Sequence, residues 1–576
     1  MSNIDWIILV GTLAFIVLYG VWKTRNVKNV ESYLLGDRDL KWWTIGLSIM
    51  ATQASAITFL STPGQAYEDG MRFAQFYFGL PIAMVIIAIF FLPIFYRLKV
   101  YTAYEYLESR FDLRTRTLTA VLFLVQRGLA AGITIYAPAI ILSTILGWDL
   151  FTTVLIIGVV VIFYTVMGGT KAVSVTQKQQ MIIILGGMIV AAIIILNKLP
   201  ADVSFQDTLG VAGKMGKLQV VDFSFDLSNR YTIWSGILGG TFLFLSYFGT
   251  DQSQVQRYLS GKSLTESRLG LLFNGIFKVP MQFLVLFVGI LVFMFYQFTP
   301  PPLHFNRGNV DNIEQSSYAP AYKQLETDYQ LVYQEKQTAI KGLMLAIEQE
   351  DETAIQAAQT QVKTYLQQDS SLRAEAKTLI QKQNTFAKVK DTDYVFISFI
   401  VNYLPVGLVG LLLAVIFSAA MSSTASELNA LATTTVIDLY RRSIVKDRND
   451  QHYLKASKFF TILWGIIALS FAATADLFEN LIQAVNIIGS LFYGAILGIF
   501  LIAFLFKRVQ ARAVFLGAIV GEIIVLITFT LSIYGYIELA YLWLNLIGCI
   551  IVILLSLLFQ AIFRDPPPVP KSALGR

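Results

Sequence analysis

GLSIMATQASAITFLSTPGQAYEDG, residues 46–70, is an apolar run of membrane length interrupted at its middle by small and polar side chains. Thr52, Gln53, Ser55 and Thr58 stand where a helix that merely crosses a bilayer would carry Leu or Ile. A helix breaks in hydrocarbon only where its freed backbone is buried in protein or lines a cavity, and the loosened carbonyls are then available to a cation. The stretch reads as half of a site for an ion and a solute.

The composition of the rest agrees. Of 576 residues, 55% are hydrophobic and 14% charged, and the mean hydropathy is +0.61, more apolar surface than a soluble chain of this length buries. An all-α polytopic membrane protein in a lipid bilayer is expected. The formal charge of +6 is concentrated in loops, as membrane orientation demands, and implies no nucleic-acid partner. The single cysteine, Cys549, cannot form an internal disulfide.

Apolar runs of about 20 residues lie near 5–22, 43–66, 77–96, 117–145, 151–168, 180–197, 232–255, 270–298, 393–422, 457–475, 480–506, 513–534 and 539–563, which gives 13 expected spans. In the first, an acid precedes the apolar run and Lys23 follows it, the reverse of a cleavable signal peptide, so this segment is expected to stay attached with the N-terminus outside. Threading from there puts 27 of the 44 Lys and Arg in inside loops and the C-terminal tail, against five in the short outside loops. The expected organisation is eight spans in 1–299, an insertion at 300–391, five spans in 392–563 and a cytoplasmic tail at 564–576, in the plasma (inner) membrane. The insertion is rich in Gln, Ala, Glu and Lys. Leu325, Tyr329, Val332 and Ile340, then Ile355, Ala358, Val362 and Leu366, recur at helical spacing, which predicts a two-helix hairpin outside the membrane.

A second interruption falls in FLSYFGTDQSQVQR, residues 244–257, where Gly249, Thr250, Asp251 and Gln252 break an apolar span. Two broken spans five helices apart are the pattern of a transporter built from inverted repeats. Asp251 is an intramembrane acid and so a functional candidate; capping a helix or pairing with Arg257 are the structural alternatives. A third element, residues 417–440, places Ala419, Ser422, Ser423 and Ser426 on one helical face, a stripe that serves either an ion or close helix packing. Arg127 lies mid-span, which is expensive unless it meets an anion, a wet cavity or an internal acid such as Glu427 or Asp251. Lys278, just before Pro280, is placed to face the carbonyls of a kinked helix.

The broken first core helix, GGTKAV at residues 168–173, DQSQVQRYL and SSTASELNALATTTVIDLY together resemble the sodium/solute symporter family, over essentially the whole chain apart from the insertion. That family includes sodium-coupled carriers of sugars, proline, iodide, vitamins, monocarboxylates and sialic acid. The resemblance implies inverted five-helix repeats with discontinuous first and sixth core helices. It also implies Na+ as coupling ion, no other cofactor, and a small organic solute as cargo. By the same resemblance, backbone carbonyls at Ala51, Ala54 and Ala419 and the hydroxyls of Ser422 and Ser423 hold the shared sodium. Gln53, Ser55, Thr58, Gln75, Tyr77, Arg127, Asp251 and Gln252 are the expected solute contacts, and Arg127 with Ser55 and Thr58 looks like the carboxylate-binding arrangement of the sialic-acid branch.

Two departures matter. The family commonly has an aspartate on the fifth core helix where this chain has Gln177, so one sodium per solute is expected. Thr58 and Tyr77 replace the amide and acid of the sugar carriers, which disfavours hexoses. An enzyme is not expected, because His304 and His452 fall in loops and there is no HExxH pattern; a sodium-coupled carrier of a neutral solute, or a channel or sensor of the same fold, is the alternative. If the topology is right, a cysteine at Thr360 should label from the side of the membrane opposite to one at Arg441. Labelling of both from the same side would contradict it.

Overall fold

The computed structural model describes residues 1–24, 38–385, 387, 389–473 and 481–563; the expected tail at 564–576 and the side chains of the 168–173 segment lie outside what is described. Among the described residues there are helices and no strand. Nine helices among the described residues are long and apolar enough to cross a membrane by length and composition, and shorter apolar helices accompany them.

In chain order the helices that build the site are α1 (Asn3–Thr24), α2 (Trp42–Gln53), α3 (Ala56–Asp69), α4 (Leu113–Leu146), α5 (Leu150–Asn197), α6 (Gly240–Gly249), α7 (Gln252–Leu259) and α8 (Leu264–Phe298). There follow α9 (Ala319–Glu348), α10 (Glu352–Gln383), α11 (Leu408–Thr434), α12 (Asp450–Ala472), α13 (Leu481–Leu505), α14 (Ala511–Ile533) and α15 (Trp543–Phe563). The first expected broken span is the pair α2 and α3, the second the pair α6 and α7. Each interruption has a local cause. Ser55 is extended (φ −75°, ψ 177°) and caps α3 by accepting from Ile57 N. Asp251 (φ −77°, ψ 119°) caps α7 by accepting from Ser253 N. A short polar side chain that satisfies the next helix's first N–H groups makes the restart cheap.

Two expected boundaries are corrected. The runs 151–168 and 180–197 belong to one helical element, α5, with no loop at 171–178. As a straight rod its 48 residues would reach about 72 Å, more than twice a hydrocarbon thickness of about 30 Å. Its neighbours show that it turns. Gly158 faces Leu469 and Ile162 faces Gly465 of α12, whereas Gly187 faces Leu412 of α11 and Gln180 reaches Ser418 O of α11 at 3.1 Å. Helices α11 and α12 are antiparallel, since Trp464 donates to Thr435 just past α11 and Tyr440 packs on Phe460, so the two ends of α5 run in opposite senses. The second correction is at 393–422. A short helix, Val395–Tyr403, ends at Leu404, and the membrane helix α11 starts only after Gly407, whose φ of 91° suits no side chain.

Helices α9 and α10 pair along their lengths, with a short helix Arg307–Glu314 at their base. The hairpin is riveted to the membrane part by polar contacts at its foot. Tyr333 Oη donates to Gln297 O at 3.2 Å and Gln337 Nε2 to Phe298 O at 3.4 Å, satisfying carbonyls that the end of α8 leaves open. Arg373 donates to Leu303 O, to Asp369 and to the Tyr329 hydroxyl. Asp391 accepts from Phe305 N at 2.8 Å and lies 3.1 Å from Lys377 Nζ, and Thr392 donates to Glu68 at the end of α3.

Burial pushes the Asp391 carboxyl up, but His304, Lys377 and Arg373 outweigh it and hold its pKa well below the usual carboxylate range. Asp369 is lowered in the same sense, against burial, by Arg373 and Lys336. A depressed carboxylate contributes its full stabilisation above the unfolded value near 4 and loses it as pH falls through the folded value. The protection of α10 amides relative to their intrinsic exchange rates should therefore be the same at pH 5 as at pH 7 and should fall only below about pH 4. Loosening between pH 7 and 5 would contradict these pairings.

Candidate functional site

The two interruptions and the serine-bearing α11 converge on one small cavity of about 70 Å³. Its wall is built from Thr52, Gln53, Ser55, Ile57 and Thr58 at the first break, Phe76 and Tyr77 beyond α3, and Arg127 and Thr134 on α4. Leu243, Phe244 and Tyr247 on α6, Glu427 on α11, and Ile482, Val485, Asn486 and Tyr493 on α13 complete it. Of the expected solute contacts, Gln53, Ser55, Thr58, Tyr77 and Arg127 line this cavity.

Three others do not line it. Gln75 is tied into the fold, donating to Tyr231 O at 2.9 Å and accepting from Asp222 N at 2.9 Å, so it holds the 222–231 segment. Gln252 likewise accepts from Ala103 N at 3.2 Å and donates to Tyr101 O at 2.8 Å. Asp251 reaches the cavity only through Arg127. Tyr247, Asn486, Tyr493 and Thr134 line the cavity without having been singled out; a hydroxyl or amide in an apolar span at the depth of a buried arginine was the available signal.

Beside the first break lies a set of oxygens. Ser423 Oγ is 3.4 Å from Ala51 O, and Ser422 Oγ, in a residue 1% exposed, has no hydrogen-bond partner. Two oxygens at right angles around a hard cation, each about 2.3–2.6 Å away, stand about 3.3–3.7 Å apart, so the Ala51–Ser423 spacing fits two ligands of one small ion. Gln177 stands next to this set as a strut between α2 and α11. Its Oε1 accepts from Ser48 Oγ at 2.6 Å, and its Nε2 donates to Thr52 Oγ1 at 3.1 Å and Ser426 Oγ at 3.4 Å. With both ends of its amide engaged, it brings no charge to the set.

The floor of the cavity is ionic. Arg127 Nη1 donates to Glu427 Oε1 at 3.0 Å, and Nη2 pairs with Asp251 Oδ2. The Tyr493 hydroxyl accepts from Arg127 Nη2 at 2.6 Å and donates to Asp251 at 3.0 Å, while the guanidinium lies 5.3 Å over the Tyr247 ring. Asp251 thus both caps α7 and pairs with Arg127 across the molecule; Arg257 turns away and donates to Ser253 O. The internal-acid alternative for Arg127 is the arrangement observed. Four helices, α4, α7, α11 and α13, are joined at one point, with the Arg127 Nε and the Glu427 Oε2 left without a hydrogen-bond partner.

Comparison with known proteins bears on this geometry. The model of the "Sodium:solute symporter family" matches residues 33–315 and 370–521, leaving most of the hairpin unmatched. Mouse sodium-coupled monocarboxylate transporter 1 is 28% identical over 520 residues, 90% of this chain and 71% of the relative. The human sodium/iodide cotransporter is 33% identical over 280 residues, 48% of this chain and 42% of its own. Among solved structures, a Na+-coupled sialic acid symporter in a substrate-bound outward-open state superposes with a TM-score of 0.74 at 23% identity, covering 98% of this chain and 99% of its own. A nucleobase–cation symporter in a closed conformation gives 0.50 at 10% identity, over 94% and 97%. With a family match over most of its length and a fold shared with sodium-coupled carriers, the chain belongs to the sodium:solute symporter family.

Proposed function

We propose that this protein imports a small organic solute together with sodium by alternating access, with its N-terminus outside, its C-terminus cytoplasmic and the hairpin on the outer face. The observation that carries this is a cavity walled by residues of both broken spans, with the serine set of α11 against the same first break: an ion at the serine set and a solute in the cavity share the α2–α3 break, so binding one orders the other's wall. Ala51, Ala54, Ala419, Ser422 and Ser423 are the proposed sodium ligands. Neutral oxygen donors suit a cation that must also leave.

For the solute we propose a small monocarboxylate. A cavity of about 70 Å³ has room for on the order of five water-sized positions, which supports a solute of a few carbons over a nine-carbon sialic acid. The relatives named as monocarboxylate transporters support the same class. A carboxylate would meet Arg127 at its partner-free Nε and compete with Asp251 for the same edge, with Ser55 and Thr58 against the solute's polar body.

In proteoliposomes, an inward sodium gradient should drive labelled lactate-sized acids above equilibrium; mere equilibration would mark a channel. Ser422→Ala with Ser423→Ala should raise the sodium concentration for half-maximal uptake at least about tenfold, each lost ligand costing about 1–3 kcal/mol. Unchanged sodium dependence would make the stripe simple packing. Arg127→Lys keeps the charge but loses the planar fork, and should weaken a carboxylate by about 1.5–3 kcal/mol. Equal affinity in that variant, with the protein still monodisperse, would remove Arg127 from solute recognition.

A further inference from the structure

Beneath the cavity floor the chain crosses the molecule once more. Residues 99–110 form a strap: Lys99 turns in the left-handed region (φ 50°), and Glu105 accepts from Tyr101 N and Thr102 N at 2.7 and 3.0 Å at the start of the short helix Tyr104–Arg110. The strap is fastened to three helices away from the cavity. Glu108 lies 2.8 Å from Arg116 of α4 and accepts from Arg442 Nε at 2.8 Å. Asp438, beyond the end of α11, accepts from Thr102 Oγ1 and Arg116 Nε, each at 2.8 Å. At the end of α13, Tyr106 Oη donates to Ala503 O at 3.0 Å and Arg110 Nη2 to Phe506 O at 3.0 Å, meeting carbonyls that the helix leaves open. Strap, α4, α11 and α13 thus form one plate. The second break is fixed to that plate by three consecutive residues, each through a different group. Thr250 O accepts from Tyr104 Oη at 2.9 Å, the Asp251 carboxylate pairs with Arg127, and the Gln252 amide accepts from Ala103 N at 3.2 Å and donates to Tyr101 O at 2.8 Å. Tyr104, Thr250 and Gln252 are 0% exposed and Asp251 is 1% exposed.

We propose that Tyr104 and Gln252 are positioning residues of an inner gate: they hold the second break on the strap and shut the cavity from the face taken above as cytoplasmic, and the Asp251–Arg127 pair is the part of this latch that the solute releases. The inference rests on the sodium-coupled reading above and adds to it the step by which a bound solute opens the way in. Of the three fastenings only the ionic one reaches the cavity, through Arg127. A carboxylate that takes the Arg127 edge from Asp251 leaves the break on neutral hydrogen bonds to the strap, and these exchange for water at small net cost once α7 parts from it. The empty chain keeps all three fastenings and rests shut toward the inside, the state from which an importer starts. Gln252 thus serves transport without touching solute.

The test reads two cysteine reporters with an impermeant maleimide in membrane vesicles of either orientation; Cys549, the chain's one cysteine, is buried. Thr433, on α11, is 0% exposed and lies 3.5 Å from Gln256 of α7, so Thr433→Cys reacts from the inside only when α7 leaves the plate. Ile482→Cys, in the first turn of α13, reports on the outer side of the cavity. Without sodium or solute, Tyr104→Phe should quicken inside labelling at Thr433→Cys about threefold to tenfold, the population shift that one net hydrogen bond sets, and should slow outside labelling at Ile482→Cys. Gln252→Met removes the other strap bonds, should move both reporters in the same directions, and stands in if Tyr104→Phe does not fold. In the parent chain, sodium with lactate should quicken inside labelling; an unchanged rate there overturns the solute's part in the latch. Faster labelling from both sides in the strap variants would mark general loosening, and unchanged labelling a strap that is structural only. Either result overturns the gate while sodium-driven uptake by the parent chain, measured in the same vesicles, leaves the proposed function standing. Absence of that uptake would overturn the proposed function and the solute's part in the latch together.

Discussion

Backbone that leaves a helix inside hydrocarbon has no water to turn to, and the arrangement around the two breaks follows from that constraint. At Ala54–Ser55 the loose groups are met by the Ser55 side chain, by Thr58 and by the Ser423 hydroxyl approaching Ala51 O. At Thr250–Asp251 they are met by the Asp251 carboxylate and by Tyr104, whose hydroxyl donates to Thr250 O at 2.9 Å. The site is a by-product of this repair: the same oxygens that make the breaks tolerable are the ones a cation can borrow.

The class and the broken helices were legible because both rest on local rules. Long apolar runs have no soluble explanation, and Ser or Asp with small neighbours in such a run is a helix restart. The serine stripe was legible as geometry, from spacings of three and four. Gln75 and Gln252 were misplaced because an amide in an apolar segment leaves the same trace whether it faces a cavity or ties down a loop, and only the partner, more than a hundred residues distant, tells them apart. Arg127 was undecidable for the same reason. The joining of 151–168 to 180–197, and the late start of α11 after Gly407, were hidden because hydropathy averages over a window and does not see a turn made with helical backbone.

The charged contacts divide by location. At the foot of the hairpin, Arg373, Lys336 and Lys377 pair with Asp369 and Asp391, and their role is to dock α9 and α10 on the ends of α3 and α8. In the cavity floor one cation, Arg127, holds two acids, Asp251 and Glu427. Breaking a buried pair by removing one partner is costly, because the other is stranded, so the floor holds α4, α7, α11 and α13 together only while all three charged groups are present.

The order in which the floor is made on the ribosome adds a demand of its own. Arg127 is synthesised 124 residues before Asp251 and 300 residues before Glu427. At about 5–20 residues per second, α4 waits on the order of 6–25 s for its first acid and 15–60 s for its second. During that interval a bare guanidinium at mid-span would be at the depth where it is least tolerated. Such a helix keeps its arginine near a headgroup or a chaperoning surface until α7 arrives, so α4 is seated late although it is made early. Until then the arginine that organises the finished floor is a cost to the unfinished chain.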